Sequence, residues 1–217
     1  MMSGKPRIRV LIADDHALIR EGLAELLKQS ADIEVVAQAS DGREALRLAE
    51  QLKPDVAVLD IMMPGLNGID ATTVLADRVP SLKVVMLSMH GGAQHVMLAL
   101  AAGARGYLLK QSASREIAPA LRAVHAGKRY LCAEVEGIVH DGEANPEVVL
   151  LQQLSSRERQ VLQMVAEGRS SAEIGDLLHL SAKTVDTYRS RLMQKLGLSD
   201  VASVVKFAVL HGITPLQ

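Results

Sequence analysis

From Ile8 to Gly127, short runs of consecutive apolar residues alternate with stretches whose apolar positions recur every three or four residues. The first pattern marks strands covered on both faces, where in-and-out alternation is lost; the second marks amphipathic helices. Ile8–Ala13 is the first strand, followed by a helix with Ala17, Leu18, Gly22, Leu23, Leu26 and Leu27 spaced to face one side. Glu34–Ala39 is the second strand, and Asp41-Gly42 leads into a helix through Ala45, Leu46, Leu48, Ala49 and Leu52 that Pro54 stops. Val56-Ala57-Val58-Leu59 is a third strand ending at Asp60; Met63-Pro64-Gly65 breaks it, since proline has no N–H for a ladder and glycine tolerates turn geometry. Helix Asn67–Leu75, strand Val84–Ser88, helix Ala93–Ala102, strand Gly106–Leu109 and helix Ser112–Ala126 complete the pattern. Five strand–helix pairs with short connections predict a doubly wound parallel sheet with right-handed crossovers.

Glu134–Leu150 breaks the period with Gly137, Asp141, Gly142, Asn145 and Pro146 and reads as a linker. The expected division is 5–131, a linker over 132–150, and a second domain over 151–217. From Leu154 the period is helical throughout. Ser155 and Glu158 offer a capping box for a helix running through Val161, Leu162 and Val165 to Gly168. Ser171–Leu178 is a short second helix, and Ser181 caps a third whose Val185, Leu192 and Leu196 point inward, with Gly197 ending it. Val201–Leu210 is a fourth. Two short helices joined by a tight turn match helix-turn-helix geometry, whose second helix enters the major groove; spacing alone is equally compatible with a small bundle bearing a charged, solvated face.

Composition narrows this picture only at a few points. With no Trp, one Phe and three Tyr, the cores must be aliphatic. Cys132 is the only cysteine, which excludes an intramolecular disulfide and a cysteine-rich metal site and leaves it as a packing residue. No apolar run approaches the roughly 18 residues of a membrane span and the N-terminus lacks an apolar signal core, so the expectation is a cytoplasmic protein without a membrane partner. The net charge of −1 is uninformative, but eight cations against six anions from Leu150 onward favour a nucleic-acid contact in the rear of the chain.

The candidate chemistry sits at the strand ends: Asp14 and Asp15 after the first strand, Asp60 after the third, Ser88 after the fourth, Lys110 after the fifth. In open α/β sheets the carboxyl ends of the strands share one edge, where ligands bind. Taken singly, Asp14, Asp15 or Asp60 is an ordinary cap or turn residue, Ser88 a turn hydroxyl and Lys110 a surface charge. Together, three crowded carboxylates call for a hard divalent cation with oxygen ligands, which describes Mg²⁺. A hydroxyl and an ammonium opposite them suit phosphoryl oxygens, whose transfer depends on positioning and charge neutralisation. Asp60 then becomes the acceptor.

The order Asp-Asp, Leu-Asp-Ile-Met-Met-Pro-Gly, Leu-Ser-Met-His and Gly-Tyr-Leu-Leu-Lys closely resembles the receiver domain of two-component response regulators over about Ile8–Tyr130. Leu-Ser-Ser-Arg-Glu-Arg-Gln-Val-Leu, Ala-Glu-Gly-Arg-Ser-Ser-Ala-Glu-Ile, Leu-Ser-Ala-Lys-Thr-Val-Asp-Thr-Tyr and Leu-Met-Gln-Lys-Leu-Gly-Leu resemble the LuxR-type DNA-binding domain. Joined, they resemble a NarL/FixJ-type response regulator. The resemblance implies an α/β plus all-α chain: a flavodoxin-like (βα)5 receiver with a five-stranded parallel sheet, then a four-helix helix-turn-helix domain. It implies that Asp60 takes a phosphoryl group from a sensor histidine kinase. Asp15, Asp60 and the Met62 backbone carbonyl would ligate Mg²⁺ with Asp14 helping through water, Ser88 and Lys110 would hold phosphoryl oxygens, and Tyr107 would be a switch aromatic moving with Ser88. In the second domain it implies a recognition helix over Ala182–Leu196, with Lys183, Thr184, Thr187, Tyr188, Arg189 and Arg191 as candidate contacts to double-stranded promoter DNA. The final helix would supply a dimer contact, giving a homodimer when phosphorylated.

Two positions depart from that pattern: Asp186 stands where relatives often carry Lys, and Tyr188 where His is common. An aspartate there suits cytosine N4 or simply trims phosphate affinity. Met62, two residues after the acceptor, cannot orient an attacking water as a polar side chain can, which predicts slow self-dephosphorylation; His90 is a solvated loop residue or acts on that water instead. The expected protein is a phosphorylation-controlled transcription factor, not an enzyme. The rivals are a hydrolase using Asp60 as nucleophile, which normally needs a second carboxylate where Met62 stands, and a receiver that binds DNA without taking phosphate.

Overall fold

The computed structural model describes residues 6–140, 150–151 and 153–214, and the chain divides into two compact units, Met1–Gly142 and Glu143–Gln217. In the first, the strands are β1 (Ile8–Ala13), β2 (Ile33–Ala39), β3 (Val56–Asp60), β4 (Lys83–Ser88), β5 (Gly106–Leu109) and β6 (Tyr130–Leu131). The helices are α1 (Ala17–Lys28), α2 (Gly42–Leu52), α3 (Gly68–Arg78), α4 (Ala93–Ala101), α5 (Ala113–His125) and α6 (Ala133–His140). The sheet is parallel in the order β2-β1-β3-β4-β5-β6, so the chain reverses its direction of travel between β2 and β3, with β1 and β3 side by side. All five residues of β3 are buried, as its unbroken apolar run requires. The core around it is aliphatic, with Tyr107 as its one fully buried aromatic side chain among the described residues.

Several sequence expectations need correcting. The sheet has six strands, not five: β6 is only two residues long, too short to leave a periodic signal, and exists because β5 offers it an edge. The region expected to open the linker holds α6, with Cys132 and Val135 fully buried against the sheet. Gly137 reads as a breaker, yet tertiary packing outweighs the cost of about 1 kcal/mol for glycine in a helix. The rest of the expected linker, 141–149, lies outside the described residues. On α1, Leu23, Ala24 and Leu27 are buried, but Ala17 and Gly22 are exposed and Leu18 is 85% exposed, because the apolar run is wider than the face that meets the core.

Elsewhere the local chemistry explains the boundaries. Asp41 caps α2, accepting from the N–H groups of Arg43 and Glu44 at 2.8 and 2.9 Å. Asn67 is the cap of α3 and not its first residue, its Oδ1 accepting from Asp70 N–H at 2.8 Å.

The second unit contains α7 (Ser156–Ala166), α8 (Ser171–Leu178), α9 (Ala182–Leu196) and α10 (Val201–Leu210). The capping box of Ser155 and Glu158 is present, and a second one joins Ser170 and Glu173. His179, in the left-handed region at φ 56°, turns α8 toward α9. Gly175 permits that turn, since a Cβ there would lie 2.6 Å from the Leu180 carbonyl oxygen. Val161, Leu162, Ile174, Leu178, Val185, Leu192, Val204 and Ala208 are all buried. Glu158, nearly buried, meets Lys195 at 2.7 Å, and this ion pair holds the end of α9 to the start of α7. Among the described residues no helix is long and apolar enough to cross a membrane.

Candidate functional site

The parallel strands carry their terminal polar residues to one edge, and the side chains meet there. Lys110 Nζ lies 2.8 Å from both Asp14 Oδ2 and Asp60 Oδ2, with all three side chains essentially buried. Met62 N–H donates to Asp60 Oδ1 at 3.3 Å, so the turn after β3 helps to orient the carboxylate. Ser88 follows Leu87, the register partner of Asp60, and its buried Oγ accepts from His90 N–H at 3.0 Å. Tyr107 is fully buried and donates its hydroxyl proton to the His90 carbonyl at 2.6 Å. His90 is thus held through its backbone on both sides, while its ring stacks on that of His95 with centroids 5.7 Å apart.

Burial is the largest influence on Asp60 and the Asp14 charge adds to it; against the opposing pull of Lys110 they push its carboxyl up to about 6. Burial alone would lower the Lys110 ammonium, but Asp60 and Asp14 outweigh it and hold the ammonium above its ordinary value. Burial likewise raises the Tyr107 hydroxyl to about 12, so it remains a hydrogen-bond donor at neutral pH.

One participant escapes a reading of the sequence. His16 Nδ1 sits 2.7 Å from Asp15 Oδ1 and 3.2 Å from Asp14 Oδ1, although its side chain is 63% exposed. It is the N-cap residue of α1 but makes no capping bond with its side chain, which faces the two carboxylates. Adjacency to Asp15 is the only sequence signal, and adjacency alone does not say which way a loop side chain turns. The same observation removes the capping alternative for Asp14 and Asp15.

Asp14, Asp15, His16 and Asp60 each place one potential ligand atom within 4.8 Å of the others. Asp14 Oδ2 and Asp15 Oδ1 are buried, and each meets a single side chain, Lys110 at 2.8 Å and His16 at 2.7 Å, which leaves each oxygen a second lone pair. Hard carboxylate oxygens with unused lone pairs, concentrated at one point, fit a hard divalent cation such as Mg²⁺.

In the second unit, Lys183, Thr187 and Arg191 follow one another at intervals of four along α9 and are exposed, opposite the buried Val185, Leu192 and Leu196. Thr184, half-buried, bonds through its hydroxyl to Ser181 at 2.8 Å, and Tyr188 is half-buried. Arg189 departs from this line. Its Nη1 donates to Ser171 Oγ at 2.9 Å, and Ser171 donates in turn to Asp186 Oδ1 at 2.6 Å, so both charges flank the start of α8. The aspartate that is unusual in sequence therefore has a partner inside the helix pair.

Comparison with known proteins agrees with both geometries. The family described as "Response regulator receiver domain" matches residues 10–122, and that described as "Bacterial regulatory proteins, luxR family" matches residues 152–208. The chain belongs to the response regulators. It is similar to the transcriptional regulatory protein LiaR of Bacillus subtilis, with 40% identity over 207 residues covering 93% of this regulator and 96% of LiaR. It is also similar to the response regulator UvrY of Escherichia coli K12, with 34% identity over 95% of each chain. Among solved structures, a complex of the two-component response regulator RcsB with DNA superimposes with a TM-score of 0.59 at 27% identity, over 93% of this chain and 97% of that one. The regulator is of the NarL/FixJ type: a flavodoxin-like receiver joined to a LuxR-type DNA-binding domain, acting as a transcription factor of a two-component system.

Proposed function

We propose that the regulator is switched by phosphorylation of Asp60. A carboxylate oxygen of Asp60 attacks the phosphorus of a phosphohistidine on a sensor histidine kinase; the P–O bond of an acyl phosphate forms, the P–N bond breaks, and the imidazole leaves with the bonding pair and takes up a proton. The observation that carries this reading is the Lys110 ammonium reaching Asp14 and Asp60 together at 2.8 Å inside a buried acidic pocket. An ammonium so placed stabilises charge on phosphoryl oxygens without having to reorganise. Asp14, Asp15, Asp60 and the Met62 carbonyl would hold Mg²⁺, which when bound neutralises charge on the transferring group. Ser88 and Lys110 take the phosphoryl oxygens, and Tyr107 follows Ser88 as the switch. The phosphoryl group adds about −1.5 to −2 charge, enough to bias such a two-state element.

The output is homodimerisation through α10, whose Val201 and Leu210 are exposed, and binding of α9 in the major groove of paired half-sites on promoter DNA. The regulator works in the cytoplasm, where kinase domains and DNA meet, and catalyses nothing beyond its own phosphoryl transfer and a slow self-dephosphorylation. Incubation with a small phosphodonor and Mg²⁺ is expected to add one phosphoryl mass to the peptide carrying Asp60 and to tighten footprints on promoter DNA. A label on another residue, or none, refutes the assignment.

Two further outcomes follow. Met62→Asn places a polar group beside the acyl phosphate, and its lifetime is expected to shorten several-fold as read by loss of label; an unchanged lifetime removes Met62 from the account. Lys183→Ala and Arg191→Ala are each expected to weaken DNA binding about equally across sequences and to reduce the slope of log K against log salt by about 1. Arg189→Ala, whose guanidinium is held by Ser171, is expected to change that slope less.

A further inference from the structure

We propose that β6 and α6 form a strap that reads the position of the switch loop and carries it out of the receiver toward the DNA-binding domain. The proposal goes beyond the phosphorylation reading, on which its signal rests, and depends on one residue serving two partners. Through its side chain, Tyr107 donates to the His90 carbonyl at 2.6 Å and pins the loop between β4 and α4. Through its backbone, the same residue lies opposite Leu131 of β6, and its carbonyl accepts from Cys132 N–H at 3.1 Å. Cys132 then starts α6, its carbonyl accepting from Val135 and Glu136 N–H at 2.9 and 3.0 Å.

Loop and strap also lie beside one another. Val135 is fully buried, and a methyl group added at Gly91 would lie 3.7 Å from a Val135 methyl and 3.5 Å from Leu109. Gly91, which follows His90 in the loop, therefore faces Val135 with room for a methyl group between them. Ser88, the last residue of β4, accepts from His90 N–H at 3.0 Å, so a displacement of Ser88 toward a phosphoryl group moves the His90 carbonyl and Gly91 with it.

A helix of eight residues has little stability of its own and exists by docking. Packed seats of this kind hold one arrangement or lose it, and do not deform continuously. Withdrawal of the loop thus undocks α6, and the segment that leads into the second unit changes from anchored to free. Cys132 and Tyr130 remain as the hinge, the latter tied to α5 by its hydroxyl bond to Glu116 at 3.1 Å.

Hydrogen exchange by mass spectrometry on the full chain tests this. Tyr107→Phe deletes the hydroxyl's bonds to the His90 carbonyl, in the loop after β4, and to Ser88, at the end of β4, and keeps the buried ring, so folding is not at issue. Exchange of residues 132–140 is expected to accelerate roughly fivefold to tenfold, the scale of one lost hydrogen bond, although the deleted hydroxyl bonds the loop and not α6. Val135→Ala is expected to produce the reciprocal acceleration at residues 88–92. Phosphodonor treatment of the unsubstituted protein should mimic Tyr107→Phe over 132–140. Unchanged exchange at 132–140 in Tyr107→Phe, at 88–92 in Val135→Ala, or at 132–140 in protein bearing the phosphoryl mass on Asp60 overturns the strap. If both variants behave as expected while no phosphoryl mass appears on Asp60, the strap stands and the acceptor assignment falls.

Discussion

Asp60→Asn is expected to abolish phosphoryl uptake and, in chelator above pH 6, to make the receiver more stable than the unsubstituted protein. The amide keeps the size of the carboxylate and removes the attacking charge, so the mass gain with phosphodonor falls to nothing. The stability effect has the opposite sign to ordinary acid denaturation. The Asp60 carboxyl sits near 6 in the folded chain against an ordinary 3.8. Below about pH 4 it is protonated folded and unfolded alike and costs nothing. As pH rises through about 6, the unfolded chain ionises first, and stability falls by about 3 kcal/mol before levelling off. Urea titrations between pH 4 and 8 should therefore show the unsubstituted receiver losing stability over this window and Asp60→Asn losing little. Parallel curves would mean that the acidic pocket is not under strain.

Gly68→Ala has the second large effect, on the fold that builds the pocket. Gly68 opens α3 after the turn that ends β3, and a Cβ there would overlap the Asp60 carbonyl oxygen, with Met86 Cε 3.1 Å away. The overlapped atom is backbone in a central strand, so it cannot give way as a flexible side chain would. A loss of about 3 kcal/mol follows, the upper range for overpacking a core, and a fall in the unfolding temperature of the receiver of ~10 °C. Gly22→Ala is the matched control: an added methyl on α1 meets no atom within 4 Å and is expected to gain about 0.5–1 kcal/mol from helix propensity. A fall of under 2 °C for Gly68→Ala in thermal unfolding would contradict the account.

Most of the architecture was legible because its signals are local. Unbroken apolar runs specify strands buried on both faces, and Pro54, Pro64, Gly103 and Gly127 mark where elements stop. The elements that escaped notice were β6 and α6. A two-residue strand has no period, and α6 contains the glycine and charges of a loop; both form only because β5 and α4 provide a surface to dock on. The part played by His16 was hidden for a related reason, since nothing in the order of residues says that a cap position will turn its ring toward two carboxylates. Arg189 and Asp186 looked like free charges on a recognition helix, and their mutual neighbour Ser171 is 18 and 15 residues away in sequence.

The chain order by itself determined the fold class, the family and the identities of the residues at the strand ends, since these follow from patterning and from side chains whose placement the strand direction dictates. Only the tertiary structure decided how those residues interact. Lys110 bridges two aspartates, burial and Asp14 raise the pKa of Asp60, and Tyr107 bonds the loop after β4 with its hydroxyl and Cys132 with its carbonyl. Distances, desolvation and docking depend on segments distant in the chain meeting in space, as Lys110 and Asp60 do across 50 residues, and no local pattern encodes them.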